Sequence, residues 1–279
     1  MKDVLFHIDT YTEPTSVAAV DQVVAFASAI GCRLTGMAVQ IHIRTPDNWL
    51  AEKLLHINRL AIAEESKSLE VARQMLKHLA EAAEAACVPH EGVIIRADLN
   101  GVGSCVARRA RTRDMCVIAI GDHMSNQRTV AEDVILGSGR PTLIFNQART
   151  TLPAQLTRVV VAWDGSRPAV RAVSDGLPLL QKAQEVRLLT VVGEKATATS
   201  GLASDLARHL KLYGVACVID EIDGRGRSIG SAFDEYCERY PPSLFVMGGY
   251  GTARLREFIL GGATEHVLNT CRVATVLSH

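Results

Sequence analysis

The chain has 279 residues, of which 48% are apolar, 22% charged and 5% aromatic, a soluble globular composition with an aliphatic core. Thirty basic and thirty acidic residues cancel, so no global field draws it to nucleic acid or to an anionic membrane. Seven scattered cysteines without close pairs argue against a disulfide framework and a zinc site, and no apolar run is long enough to span a bilayer. The opening run, MKDVLFHIDT, is too short and too charged for a signal peptide. The expected compartment is therefore reducing and cytoplasmic. One basic cluster, ARRARTRD at 107–114, reads as a solvated helix end rather than a binding patch.

In chain order, the apolar run DVLFHIDT predicts a strand ending in Asp9, and Ser16 to Ile30 a helix. A strand follows from Arg33, RLTGMAVQ. The stretch IHIRTPDNWLAEKLLHINRLAIAEES predicts an added helix with Leu50, Leu54 and Ile57 on one face, either packed on the domain or serving as a ligand lid. The helix Lys67 to Ala86 carries Leu69, Ala72, Leu76, Leu79 and Ala83 at helical spacing. Next come the strand EGVIIRA, a short helix from Gly103, the strand MCVIAIG, a helix containing AEDVIL and the strand PTLIF.

The same order then repeats. RVVVAWDGS ends in Asp164, and a helical run covers Ala169 to Gln184. RLLTVVGE starts at Arg187, a helix near Ser204 presents Leu206 and Leu210, and ACVIDEID, a helix from Ser228, SLFVMGG, TEHVLN and VATVLS follow. Asp9 and Asp164 lie 155 positions apart, and Arg33 and Arg187 lie 154 apart. Matched order at a nearly constant offset indicates a duplicated unit. Continuous apolar strands alternating with helices predict two tandem five-stranded, parallel, doubly wound (Rossmann-like) α/β domains, 1–148 and 152–279, around a linker near Ala148 to Leu156. The last strands, PTLIF and VATVLS, should pair within the chain as a pseudo-two-fold module, which protects two sheet edges.

The copies differ after their fourth strands. The second carries MGGYGTARLREFILGGATEHVLNT, with Gly248 and Gly251 before a charged turn and Gly261 and Gly262 behind it. The first offers GDHMSNQRTVAEDVILGSG, six residues shorter and without the paired glycines, with Met124 standing where Gly251 stands. Ligands of open parallel sheets sit beyond the carboxyl ends of the strands. Met247 and Gly248 are at such an end. The helix from Ala263 would offer free N–H groups and a dipole to an anion, each charge-assisted bond contributing about 1.5–3 kcal/mol. The glycines read equally as a tight turn, and Arg254 and Arg256 as loop cations or surface residues. Asp164 reads as an acceptor for ribose or base, or with Ser166 as a helix cap. His266 is a solvated helix histidine or a phosphate neighbour. Asp122 and His123 alone are weak evidence for a metal.

The spacing Gly248, two residues, Gly251, nine residues, Gly261, then a small residue, together with VVVAWDGS, resembles the nucleotide loop and first strand of the universal stress protein family. The resemblance covers both halves, so the chain looks like a tandem universal stress protein. It implies binding of ATP or another adenine nucleotide, with or without magnesium, in the C-terminal domain. By position, Asp164 would meet the adenosine, the backbone at Val191 or Val192 the base, and Gly248, Gly251, Gly261, Gly262 and Ala263 the phosphates, with Met247 and Arg254 as further nucleotide-binding positions. Gly262 stands where the family usually has Ser, Thr or Asn, which leaves AMP and ADP open beside ATP. Under this reading the protein is a cytoplasmic stress-response regulator or sensor with an unidentified protein partner and no nucleic-acid or membrane partner. Homodimerisation of the whole chain and slow ATP hydrolysis are compatible with it, though no catalytic residue can be named. The competing readings are a scaffold module that binds no nucleotide and a weak ATPase.

Overall fold

The computed structural model describes residues 1–45, 57–122, 125–193, 198–249 and 262–279. The first half runs β1 (Asp3–Ile8), α1 (Val17–Ile30), β2 (Arg33–His42), α2 (Ile57–Ala85), β3 (His90–Asp98), α3 (Val102–Ala110), β4 (Met115–Ile120), α4 (Ser125–Gly137) and β5 (Thr142–Asn146). The second runs β6 (Arg158–Ala162), α5 (Arg167–Leu180), β7 (Glu185–Val192), α6 (Ala203–Lys211), β8 (Cys217–Asp223), α7 (Ile229–Arg239), β9 (Leu244–Gly248), α8 (Gly262–Thr270) and β10 (Thr275–Ser278). Every element read from the sequence in the described residues is present. The helix expected over Lys67 to Ala86 begins earlier, at Ile57, and extends for 29 residues. Leu50 and Leu54 lie outside the described residues.

The ten strands form one sheet in the order β3-β2-β1-β4-β5-β10-β9-β6-β7-β8. Neighbours are parallel except β5 and β10, which are antiparallel. Leu143 faces Val276, with Thr142 opposite Leu277 and Ile144 opposite Thr275. These are equivalent residues of the two copies, so the pseudo-two-fold axis passes between Leu143 and Val276. The contact is isologous, with each copy offering the same strand.

Strand alternation explains why the sheet can be covered on both sides. Val4, Phe6 and Ile8 face one apolar layer under α1, α2, α5 and α6, which continues through Val159 and Val161 into the second half. Leu5, Met37 and Val39 face the other layer, under α3, α4, α7 and α8, continuous with Val160, Leu189 and Val191. Fully burying a side chain such as Phe6 or Leu5 contributes about 1.5–3 kcal/mol. The expected linker is itself packed. Leu152 and Leu156 are buried, the Leu152 amide donates to Gln22 Oε1 (2.8 Å), and Thr150 Oγ1 donates to the Cys271 carbonyl (2.6 Å). The basic cluster forms the end of α3, where Arg111 donates to the Gly137 carbonyl and Arg113 pairs with Asp3. Among the described residues no helix is long and apolar enough to cross a membrane.

Candidate functional site

In each half the strand order reverses direction between the first and fourth strands, β1 and β4 or β6 and β9. The crevice beyond the carboxyl ends at that switch point is where open α/β sheets take ligands. In the second half, Asp164 lies two residues past β6 and Gly248 ends β9. Asp164 is half-buried, and its Oδ1 accepts from the Ser166 amide (3.0 Å), a local turn that Gly165 completes at φ +72°. Ser166 is the cap of α5, its Oγ accepting from the Ala169 amide (3.3 Å). Asp164 therefore shapes the turn, and Ser166 does the capping. Trp163 anchors the same turn by donating its indole N–H to the Leu202 carbonyl (3.3 Å).

The family resemblance puts a base against the backbone at Val191 or Val192. The Val192 carbonyl is taken by the Gly224 amide (2.9 Å), on the β8 side. On the other side, the Leu189 carbonyl accepts from Trp163 (2.8 Å), the last such bond before β6 leaves the sheet. Alternation then turns the backbone groups of Val191 toward the space past the end of β6. Of the two, Val191 is the one so placed.

The glycines divide. A Cβ on Gly248 would lie 2.5 Å from the Pro168 carbonyl carbon and 2.6 Å from the Ala169 nitrogen, so β9 can approach the first turn of α5 only through glycine. Gly262 is exposed at the first position of α8, with room for a side chain, and Ala263 follows it half-buried. Gly251, Arg254, Arg256 and Gly261 lie outside the described residues. His266 differs from both expectations for it. It packs over Gly230 of α7, and its Nε2 stands 3.1 Å from Asp234 Oδ1, because α7 runs alongside α8 on the same sheet face.

The first half fills its own crevice. Its β1–α1 connection runs from Asp9 through Ser16, where the second half needs only Asp164 to Ser166. Thr10 Oγ1 donates to the Val39 carbonyl (2.5 Å) and meets Ser68 Oγ (2.7 Å), which accepts from the Ile41 amide (3.0 Å). The sheet register makes Val39 the counterpart of Val191. Gln127 accepts from the Gly121 amide, just past the carboxyl end of β4, and donates to the Glu13 carbonyl (2.7 Å). Gln147 Oε1 takes the Ser16 amide at the start of α1 (2.8 Å). The Val39 carbonyl, the Gly121 amide and the Ser16 amide are thus each met by a side chain of the chain itself. Beneath the plug, burial pushes the Asp9 carboxyl above its usual range and the His7 imidazole below its own, each partly offset by the other's charge. Asp122 pairs with Arg149 (2.9 Å) and accepts from Asn146 (3.1 Å). His123 and Met124 lie outside the described residues.

The plug residues Thr10, Ser68, Gln127 and Gln147 went unnoticed in the sequence. The signal was the length of the first connection, six residues between Asp9 and Ser16 against one between Asp164 and Ser166.

Neither a protein-family model nor a curated protein matches the sequence. Solved structures do match the fold. A universal stress protein from Archaeoglobus fulgidus DSM 4304 superposes at a TM-score of 0.70 with 17% identity, covering 98% of this chain and 97% of that one. A Pseudomonas aeruginosa UCBPP-PA14 protein, proposed to be a universal stress protein, gives 0.56 with 11% identity over 99% of this chain and 93% of its own. A functionally unknown protein from Pseudomonas aeruginosa PAO1 gives 0.52 with 10% identity over 98% and 92%. With one sheet, two like-wound halves and an antiparallel seam between them, the chain has the universal stress protein fold, present twice along a single polypeptide.

Proposed function

We propose that the protein is a stress-response regulator or sensor of the universal stress protein kind, working in the cytoplasm, that binds one adenine nucleotide in its second unit, 152–279. The first unit, 1–148, serves as a permanent structural partner. The observation that carries this reading is the asymmetry of the two crevices. Thr10 and Gln127 occupy the first, whereas among the described residues Asp164, Val191, Gly248 and the start of α8 line the second without an equivalent of either side chain. In that arrangement Asp164 and Val191 hold the adenosine, and the amides at Gly262 and Ala263, with those of Gly251 and Gly261, hold the phosphates. Bound magnesium would supply charge to ATP or ADP there, and AMP would need none. The chain's own part is to orient and desolvate the nucleotide.

A second reading, an interaction module without ligand, draws on one observation. Gly248 is demanded by the approach of α5 whether or not a nucleotide binds. Titration calorimetry with ATP, ADP and AMP, with and without magnesium, separates the two. One site per chain is expected, abolished by Gly251→Val and barely changed by Asp9→Ala. Two comparable sites, or full binding by Gly251→Val, would put the ligand elsewhere.

A further inference from the structure

A cavity of about 310 Å³ opens between α7 and α8, at the amino end of β9 and so at the opposite end of the strands from the nucleotide crevice. A five-residue strand separates the two places by roughly 15 Å. The floor is aromatic, with Phe233 and Phe245 at 5.1 Å between ring centroids.

The first half shows what the fold needs at this place. There α3 and α4 meet through small residues, the Cβ of Ala107 standing 3.4 Å from where a Cβ of Gly137 would be. The counterparts of Ala107 and Gly137 are Asp234 and Thr270, and the counterpart of Ala110 is Cys237. All three line the cavity. A carboxylate on a packing face where the sister copy has alanine is unexplained by the architecture.

The charges at the mouth do not balance. Asp234 and Glu238, one helical turn apart, share a single guanidinium, with Arg272 Nη1 3.4 Å from an oxygen of each. The Arg272 side chain is 58% exposed, so its pairing is weak and readily exchanged. His266 Nε2 is buried beside Asp234 without a well-formed hydrogen bond. Burial and Asp234 push the Cys237 thiol up to about 12, so it lines the wall uncharged. With two carboxylates against one arginine, an anion entering here meets net repulsion, while a cation can replace Arg272 on Asp234.

We propose that this cavity is a second ligand site, which takes a small organic cation with a flat apolar body, the ring lying on Phe233 and Phe245 and the ammonium or amidinium on Asp234 and Glu238. The size falls at the lower end of small-molecule pockets, with an apolar lining and few polar groups, as such pockets have.

Tryptamine and indole-3-acetate serve as probes, alike in ring and opposite in charge. Calorimetry or saturation-transfer NMR on the full chain should show tryptamine binding below about 1 mM and at least about tenfold more tightly than indole-3-acetate. Asp234→Asn should weaken tryptamine about tenfold or more, and Cys237→Phe, which fills the cavity, should abolish binding. Thr270→Leu gives a second filling variant, and a thermal melt of each variant confirms folding. Failure of the wild type to bind tryptamine at about 1 mM, equal binding of the two probes, or binding that survives both filling variants would overturn the proposal.

Discussion

Thr10→Val tests whether the first half carries a built-in plug. The substitution keeps the shape of a side chain that is 3% exposed and deletes its hydroxyl. Two bonds go, the one to the Val39 carbonyl at 2.5 Å and the one to Ser68 Oγ at 2.7 Å. Ser68 still accepts from the Ile41 amide (3.0 Å) but loses the acceptor of its own hydroxyl proton, so the groups left without a partner are the Val39 carbonyl and the Ser68 O–H. A lost buried hydrogen bond together with an orphaned carbonyl costs about 2–4 kcal/mol. In a protein of this size that lowers the Tm by roughly 3–7 °C. Thr10→Ser retains the hydroxyl, and its cost should be about 1 kcal/mol, for one buried methyl. Thermal unfolding followed by circular dichroism measures both variants, and nucleotide titration should find the second half unchanged. Equal losses for Val and Ser would show that the methyl matters and the hydroxyl does not. Weakened nucleotide binding in Thr10→Val would show that the crevice of the first half is part of the site.

Asp164→Asn should weaken adenosine-containing ligands at least about tenfold while stability moves by no more than about 1 kcal/mol, since Asn forms the same turn; unchanged calorimetric affinity would confine Asp164 to shaping the loop. His7 supplies an acid-sensitive element. Its folded value lies below 6.5, so the stability it lends above that pH is lost as pH falls from about 6.5 through the folded value, at up to about 1.4 kcal/mol per pH unit. Asp9, raised from 3.8 by burial, acts with the opposite sign, gaining stability as pH falls toward 3.8. His7→Phe should therefore be less acid-sensitive than the wild type in urea melts between about pH 5 and 6.5, and parallel curves would remove His7 from the account. Thiol labelling should modify Cys87, the exposed cysteine, first and leave Cys116 and Cys271 untouched until unfolding, because burial pushes both thiols up to about 12.

The strands and most helices were legible because apolar runs and helical spacing are local signals, and the duplication gave each a second reading. The β5–β10 seam was legible too, since an unpaired last strand in each copy needs cover. The plug was harder to see. Thr10, Ser68 and Gln127 are far apart in the chain, and polar residues in a connection look solvated until the fold closes over them. Gly248 shows another limit. A glycine that admits a helix and a glycine that admits a phosphate carry the same letter. His266 was misplaced for a similar reason, because its helical period says which face it occupies but not that α7, with Asp234, lies against that face.

The seam between Leu143 and Val276 joins two surfaces that are tethered by the segment from Gln147 to Thr157. Their association is a first-order event, set by an effective concentration and not by how much protein is present. Dilution cannot separate the halves, and the seam's contribution to the melting temperature should not vary with protein concentration. A copy in such a pair also cannot exchange its neighbour for a stranger. Each half therefore always meets the same unlike partner, which lets one of them carry Thr10 and Gln127 across its crevice without imposing the same side chains on the other.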